Sequence, residues 1–454
     1  MRNTTIFPLA SHPKDLELDN IASDKSLSHR SVIFALLSNK ESEISNFLFG
    51  DDTLNSLKIA MQLGIKAILD GCELNLDNVL SKKDFAFKKD SSLRIIPNES
   101  GIKEPDDVLD CGNAGTAIRL YMGLLSSVSG YFVLSGDKYL RIRPMSRIIK
   151  PLQNIGANIS SRANDSLAPI TIIGRDLEPF SYHSPISSAQ VKSAMILAGL
   201  KAKNKSTFSE VSKSRDHSER ILLGMGADLE IENNTITINP LKSPLKPLEM
   251  KIPADPSSAF YFAVIAMLLE VKITIKNMLL NETRIEAFRV LEKMGANISI
   301  IKNSSKYEDI GDLVIFKDRE LENIEISTNI SWLIDELSAL AIIFSFAKGQ
   351  SVVRNAKELR IKESDRITAT ITNLKKFGVE CEELEDGFII KGEFKIPNKK
   401  IEIESYGDHR IAMSFATLGT ICNVEIKDSE CIDVSFPNFL NILENFSVVK
   451  NISV

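Results

Sequence analysis

The sequence predicts an α/β protein made of six copies of one small unit, grouped as two similar domains of three. Three observations lead there. A short pattern recurs along the 454 residues: an apolar residue, two others, a large apolar residue, then Gly and a small or branched residue. Apolar residues three apart share one helix face, and a Gly just past them suits a left-handed helix stop. The residues that follow often alternate, as in "ANISI" and "ADLEIENNTITI", which is a strand pattern.

The copies fall at residues 60–65 (AMQLGI), 152–157 (LQNIGA), 222–227 (LLGMGA), 291–296 (LEKMGA) and 374–379 (LKKFGV), with a degraded copy at 443–448 (LENFSV). They lie roughly 70 to 90 residues apart. That is too long for a solenoid repeat, so each unit is a subdomain. A cleft between two domains of this kind is a natural ligand site.

Composition narrows the function. Hydrophobic residues make up 43% and charged residues 25%, as in a globular protein. The net charge of −5 argues against general nucleic-acid binding, which needs a basic surface. The longest apolar runs, "AFYFAVIAMLLEV" and "LSALAIIFSFA", fall short of the ~20 residues that span a bilayer, so they read as buried helices. The opening "MRNTTIFPLA" lacks a basic stretch followed by an apolar core, so no secretory signal is expected. The odd count of five cysteines, without paired spacing, fits reduced thiols in the cytoplasm. No cluster has metal-ligand spacing, so no protein-held metal and no cofactor are expected.

Several helix starts carry polar residues suited to anions. In "SDKSLSHRSVIFALLS", Ser23 or Asp24 caps a helix whose first two turns hold Lys25, Ser26 and Arg30. "DCGNAGTAIRL" is a glycine turn leading into a helix, where Gly115 lets a ligand approach its backbone. In "DKYLRIRPMSRIIKPL", Arg143 sits in a loop just ahead of a helix, free for a bidentate contact. "SPISSAQVKSA" places Ser187, Ser188 and Gln190 before an apolar helix, and "SRDHSER" adds Arg215, with His217 read as structural.

Carboxylates come from the second half. Asp335 and Glu336 sit beside an apolar helix in "SWLIDELSALAIIFSFAKG". "ELRIKESDRI" gives Lys362, Glu363 and Arg366, with Lys362 and Arg366 sharing a face if the segment is helical. "SYGDHRIAM" offers Asp408, His409 and Arg410. Each segment alone also reads as a charged, solvated turn or ion-paired helix surface. Their recurrence points to a cleft for a multiply anionic substrate, with acid and base on one wall.

Taken together, "DKSLSHR", "GNAGTAIR", "RPM", "SSAQVKSA", "SRDHSER", "PADPSSAF", "LIDEL", "ELRIKESDR" and "DHRIAM" resemble, in order, the motifs of the 5-enolpyruvylshikimate-3-phosphate synthases, the second bacterial class above all. The resemblance runs from about Ser23 to Phe439. It implies two domains, 1–22 plus 253–454 carrying the acid and base and 23–252 carrying most shikimate 3-phosphate contacts, with the active site in the cleft between them. Each domain would hold three βαβαββ units around a pseudo-threefold axis, the inside-out α/β barrel of enolpyruvyl transferases.

The implied reaction moves the enolpyruvyl group of phosphoenolpyruvate to the 5-hydroxyl of shikimate 3-phosphate, on the shikimate pathway to chorismate. The implied shikimate 3-phosphate residues are Lys25, Ser26, Arg30, Ser188, Ala189, Gln190, Arg215, Asp335 and Lys362. Those for phosphoenolpyruvate are Lys25, Gly115, Arg143, Gln190, Arg366 and Arg410, in a space also taken by the family's inhibitor glyphosate. Asp335, Glu363 and Lys25 would be catalytic, Asp335 taking the hydroxyl proton and Glu363 donating one. A cytoplasmic monomer is expected. One position departs: many members carry Lys just before "[ST]-F-P", where this chain has Val434. The rivals are UDP-N-acetylglucosamine enolpyruvyl transferase, whose loop Cys is missing from "GDKYLRIRPM", and a non-catalytic anion-binding protein on the same scaffold.

Overall fold

All five glycine repeat endings terminate a helix. The helices Asp51–Gln62, Ser146–Asn154, His217–Gly224, Glu286–Met294 and Arg366–Phe377 are followed by Gly64, Gly156, Gly226, Gly295 and Gly378. In the computed structural model, which describes residues 2–80, 90–303 and 306–453, each of these glycines has positive φ, between 91° and 134°. A Cβ there costs ~1–2 kcal/mol, which is why the pattern keeps Gly. The degraded copy works differently. Ser447 opens the strand Ser447–Ser453 soon after the helix Phe439–Leu443, without left-handed backbone.

A strand follows every ending, and among the described residues six sheets result, five of four strands and one of five. All share one plan: a parallel pair at one edge, the rest antiparallel. In one of them Leu167–Gly174 lies between Gly130–Ser135 and Asn158–Ser161, with Ile170 opposite both Leu134 and Ser161.

The chain divides into two compact units. Unit 1 is Met1–Ala22, Pro253–Ser305 and Asp309–Val454; unit 2 is Ser23–Ile252 with Lys306–Glu308. Three of the sheets belong to each.

Each unit has three buried helices, one per repeat. In unit 1 these are Pro256–Leu269, Leu337–Phe344 and His409–Leu418, packed on one another. In unit 2, Lys25–Ala35 packs on Gly115–Leu125, which packs on Ala189–Gly199. A helix apolar on every side belongs in a core. Close approach is built in: a Cβ on Gly123 would lie 2.3 Å from the Ala194 carbonyl oxygen. No described helix is long and apolar enough to cross a membrane.

This arrangement places the site motifs. "DKSLSHR", "GNAGTAIR" and "SSAQVKSA" begin the three buried helices of unit 2, and "PADPSSAF", "LIDEL" and "DHRIAM" those of unit 1. Many polar side chains of these helices lie near their starts, where free N–H groups favour anions.

Candidate active site

In unit 2, Asp24 rather than Ser23 caps its helix, accepting from the Leu27 amide at 2.7 Å. Lys25 follows, and its ammonium pairs with Asp52, a buried carboxylate at the start of the helix Asp51–Gln62. Arg30 is buried one turn further on. Its Nε donates to Ser218 at 2.9 Å, its Nη2 to Ser193 at 3.0 Å and its Nη1 to the Ser26 carbonyl at 3.1 Å. His29 is fully buried beside it, bonded to Ser56 at 2.7 Å. Burial, then the charges of Lys25 and Arg30, push the imidazole well below its usual range, so it stays neutral.

The second cluster in unit 2 surrounds Gly115. This residue starts its helix, after Gly112 turns the chain with φ 54°. A Cβ on Gly115 would lie 3.1 Å from Nη1 of Arg143 and 3.2 Å from Nη1 of Arg119. Arg143 is extended just ahead of the helix Ser146–Asn154, and its Nη2 donates to Asn113 Oδ1 at 2.7 Å. Arg119 donates to Gln190, which donates in turn to Thr116 at 3.0 Å. Ser188 caps the helix that Ala189 opens. Arg215 is half-buried in the connection between the strand Ser206–Glu210 and the helix His217–Gly224. His217 is buried against Glu308 at 2.6 Å, as a structural residue would be.

In unit 1 the centre is Arg366, 2% exposed. Its Nε donates to Asp408 at 2.9 Å, its Nη2 to Glu363 at 2.6 Å and its Nη1 to Asp335 at 3.3 Å. Burial opposes its charge, but Asp408, Glu363 and Asp335 together raise its pKa. The helical reading of "KESDR" is corrected here. Lys362 is extended after the short turn Lys357–Ile361, and Asp365 caps a helix that begins at Arg366. Short polar side chains such as Asp365 satisfy free amides best at an N-cap, so the helix starts there, and Glu363 meets Arg366 from outside it.

Lys362 lies near Asp335, Glu358 and Glu363 as well as Arg366. Burial lowers its pKa despite those carboxylates, so its ammonium gives up a proton more readily than an exposed lysine's. Asp335 falls between the short helix Ile330–Leu333 and the helix Leu337–Phe344. Arg410 is buried in the first turn of His409–Leu418, next to Tyr261. Burial pushes the Tyr261 phenol up to about 12, against the pull of Arg410.

The sequence-predicted residues therefore form two sets. Lys25, Ser26, Arg30, Gly115, Arg143, Ser188, Ala189, Gln190 and Arg215 belong to unit 2, while Asp335, Lys362, Glu363, Arg366 and Arg410 belong to unit 1. Asp52, Arg119, Asn113, Ser193, Ser218 and Asp408 hold them and were not on that list. Asn113, Arg119, Ser193 and Ser218 sit inside motifs already noticed, and Asp408 was named among the carboxylates of the second half. Asp52 gave no signal, since an acidic first turn is ordinary helix chemistry.

Six like units, three to a body, with cations at the helix starts of one body and carboxylates at those of the other, define an enolpyruvyl transferase fold. Comparison with known proteins makes the assignment specific. The family model described as EPSP synthase (3-phosphoshikimate 1-carboxyvinyltransferase) matches residues 14–443, and the chain belongs to that family. A 3-phosphoshikimate 1-carboxyvinyltransferase of Wolinella succinogenes is 53% identical over 452 residues, covering 99% of this chain and 98% of that protein. One from Campylobacter concisus is 53% identical over 440 residues, 97% of each. The solved EPSP synthase of Acinetobacter baumannii superposes with a TM-score of 0.84 at 32% identity, covering all of both chains.

Proposed function

We infer that the protein transfers the enolpyruvyl group of phosphoenolpyruvate to the 5-hydroxyl of shikimate 3-phosphate, releasing phosphate. The carrying observation is Arg366, one buried cation shared by the two acids a proton-in, proton-out addition needs. The 5-hydroxyl oxygen attacks C2 while Asp335 takes its proton. The π electrons move to C3, which takes a proton from Glu363. In the tetrahedral adduct the C–O bond to phosphate then breaks, the phosphate leaving with its electron pair, while Glu363 takes a proton back from C3 and the enol ether forms.

Arg366 explains how Glu363 becomes an acid. A carboxylate paired with a guanidinium holds its proton weakly. The carboxylate of phosphoenolpyruvate, arriving at Arg366, competes with Glu363 for the same guanidinium. That competition loosens the Glu363–Arg366 pair when the proton is to be delivered. Lys25, Arg30 and Arg215 suit the phosphate of shikimate 3-phosphate. Ser26, Ser188, Ala189 and Lys362 complete its contacts, and Gln190 touches both substrates. Arg143, Arg410 and the backbone at Gly115 suit phosphoenolpyruvate. Both residue sets serve one reaction, in a cytoplasmic monomer.

Phosphate release tests the assignment. It is expected with phosphoenolpyruvate and shikimate 3-phosphate together and not with phosphoenolpyruvate and UDP-N-acetylglucosamine. The reverse result overturns it.

A further inference from the structure

Unit 2 contains a buried ion cluster that the reaction above does not use. Lys192, in the helix Ala189–Gly199, is 2% exposed. Its ammonium meets Glu210 at 2.9 Å and Glu219 at 2.8 Å, and both carboxylates are 3% exposed. One cation thus faces two anions in the core. Burying charges costs several kcal/mol each, and well-packed apolar residues often replace such clusters with no loss of stability. Its persistence asks for another reason.

The geometry supplies one. Lys192 also donates to the Ser214 carbonyl at 3.1 Å. One oxygen of Glu210 accepts from Lys192, from the Ser214 amide at 2.8 Å and from the Ser214 hydroxyl at 3.0 Å. Ser214 precedes Arg215. The same loop is tied again by Ser212, whose hydroxyl meets that of Ser187 at 2.6 Å, one residue before the Ser188 cap. Glu219 lies next to Ser218, and Lys192 next to Ser193. Those two serines bond each other at 2.6 Å and both accept from Arg30. The cluster therefore fastens three things that carry charge toward one ligand: the Arg215 loop, the start of the Ser188 helix and the pair of hydroxyls under Arg30.

We propose that Lys192, Glu210 and Glu219 are positioning residues for the shikimate 3-phosphate half of the site, fixing Arg30 and Arg215 at the spacing its phosphate requires. The proposal rests on the functional reading above. It sets the cluster apart from the phosphoenolpyruvate contacts around Gly115 and from the Arg366 group. Damage to it weakens one substrate and spares the other.

The test is calorimetric binding of shikimate 3-phosphate to the full chain, beside the KM for phosphoenolpyruvate at saturating shikimate 3-phosphate. Glu210→Ala removes the clamp on Ser214 and is expected to weaken shikimate 3-phosphate binding about tenfold, the scale of one buried charged hydrogen bond. The KM for phosphoenolpyruvate stays within about twofold, well under the 1.4 kcal/mol of a tenfold change. Glu210→Gln keeps an oxygen for the Ser214 amide and restores most of the binding. The apolar triple variant Lys192→Met/Glu210→Leu/Glu219→Leu separates position from stability: it keeps the melting temperature and loses the same affinity. Unchanged binding in Glu210→Ala or in the triple variant overturns the proposal, as does an equal rise in both substrates' constants. Should the unmodified protein itself not bind shikimate 3-phosphate, the functional reading fails first.

Discussion

The two units treat their arginines in opposite ways. In unit 2, Arg30 is held by two hydroxyls and a carbonyl, and Arg143 by an amide oxygen. Each of these contacts fixes the direction of one guanidinium nitrogen. In unit 1, Arg366 is held by three carboxylates. There the cation orders acid and base, at the place proposed for the carboxylate of phosphoenolpyruvate. One half is prepared to attract anions, the other to move protons. Variants of Arg30 in unit 2 should raise KM, and variants of Asp335 and Glu363 in unit 1 should lower kcat.

The largest effects belong to unit 1. Asp335→Ala and Glu363→Gln should each lower kcat by ~10²-fold or more, with shikimate 3-phosphate affinity nearly kept. Steady-state kinetics with both substrates varied checks this, and near-normal turnover in either variant reassigns its role. Arg30→Gln should come next. It should raise the KM for shikimate 3-phosphate about 10- to 100-fold, the worth of a charged hydrogen bond to phosphate, and leave kcat within a few-fold. A fall in kcat alone would erase the contrast between the units.

The smallest effect is a shift along the pH axis. Burial lowers the pKa of Lys362, and Asp335, Glu358 and Glu363 only partly restore it against Arg366 and burial. Its charge is therefore present at low pH and lost as pH rises, earlier than for an exposed lysine. The alkaline limb of kcat/KM should lie below the ordinary lysine range, and Lys362→Arg should move it upward. A limb that stays in place belongs to another group.

Much of this was legible in the sequence because periodic features leave periodic traces. Glycine after Leu63, Ile155, Met225, Met294 and Phe377 marks real left-handed stops, so the six units could be counted. The motif residues are legible because polar side chains gather at the starts of otherwise apolar helices. Three things were hidden. "KESDR" has helical spacing, yet the cap at Asp365 delays the helix by one residue after it. Asp52 reaches Lys25 from another helix, a pairing fixed by packing alone. The sharing of Arg366 among Asp335, Glu363 and Asp408 joins residues as far as 73 positions apart (335 to 408), which no local pattern records.

The first strand, Arg2–Pro8, pairs along its whole length with the last, Ser447–Ser453. Unit 2 is nearly continuous, apart from Lys306–Glu308. On the ribosome, then, the body that gathers anions has most of its chain long before the body that moves protons can close its sheet. Synthesis at ~5–20 residues per second leaves the first strand waiting ~20 seconds or more for its mate. Until then its edge is open to wrong partners, and the last seven residues of the pairing end that exposure.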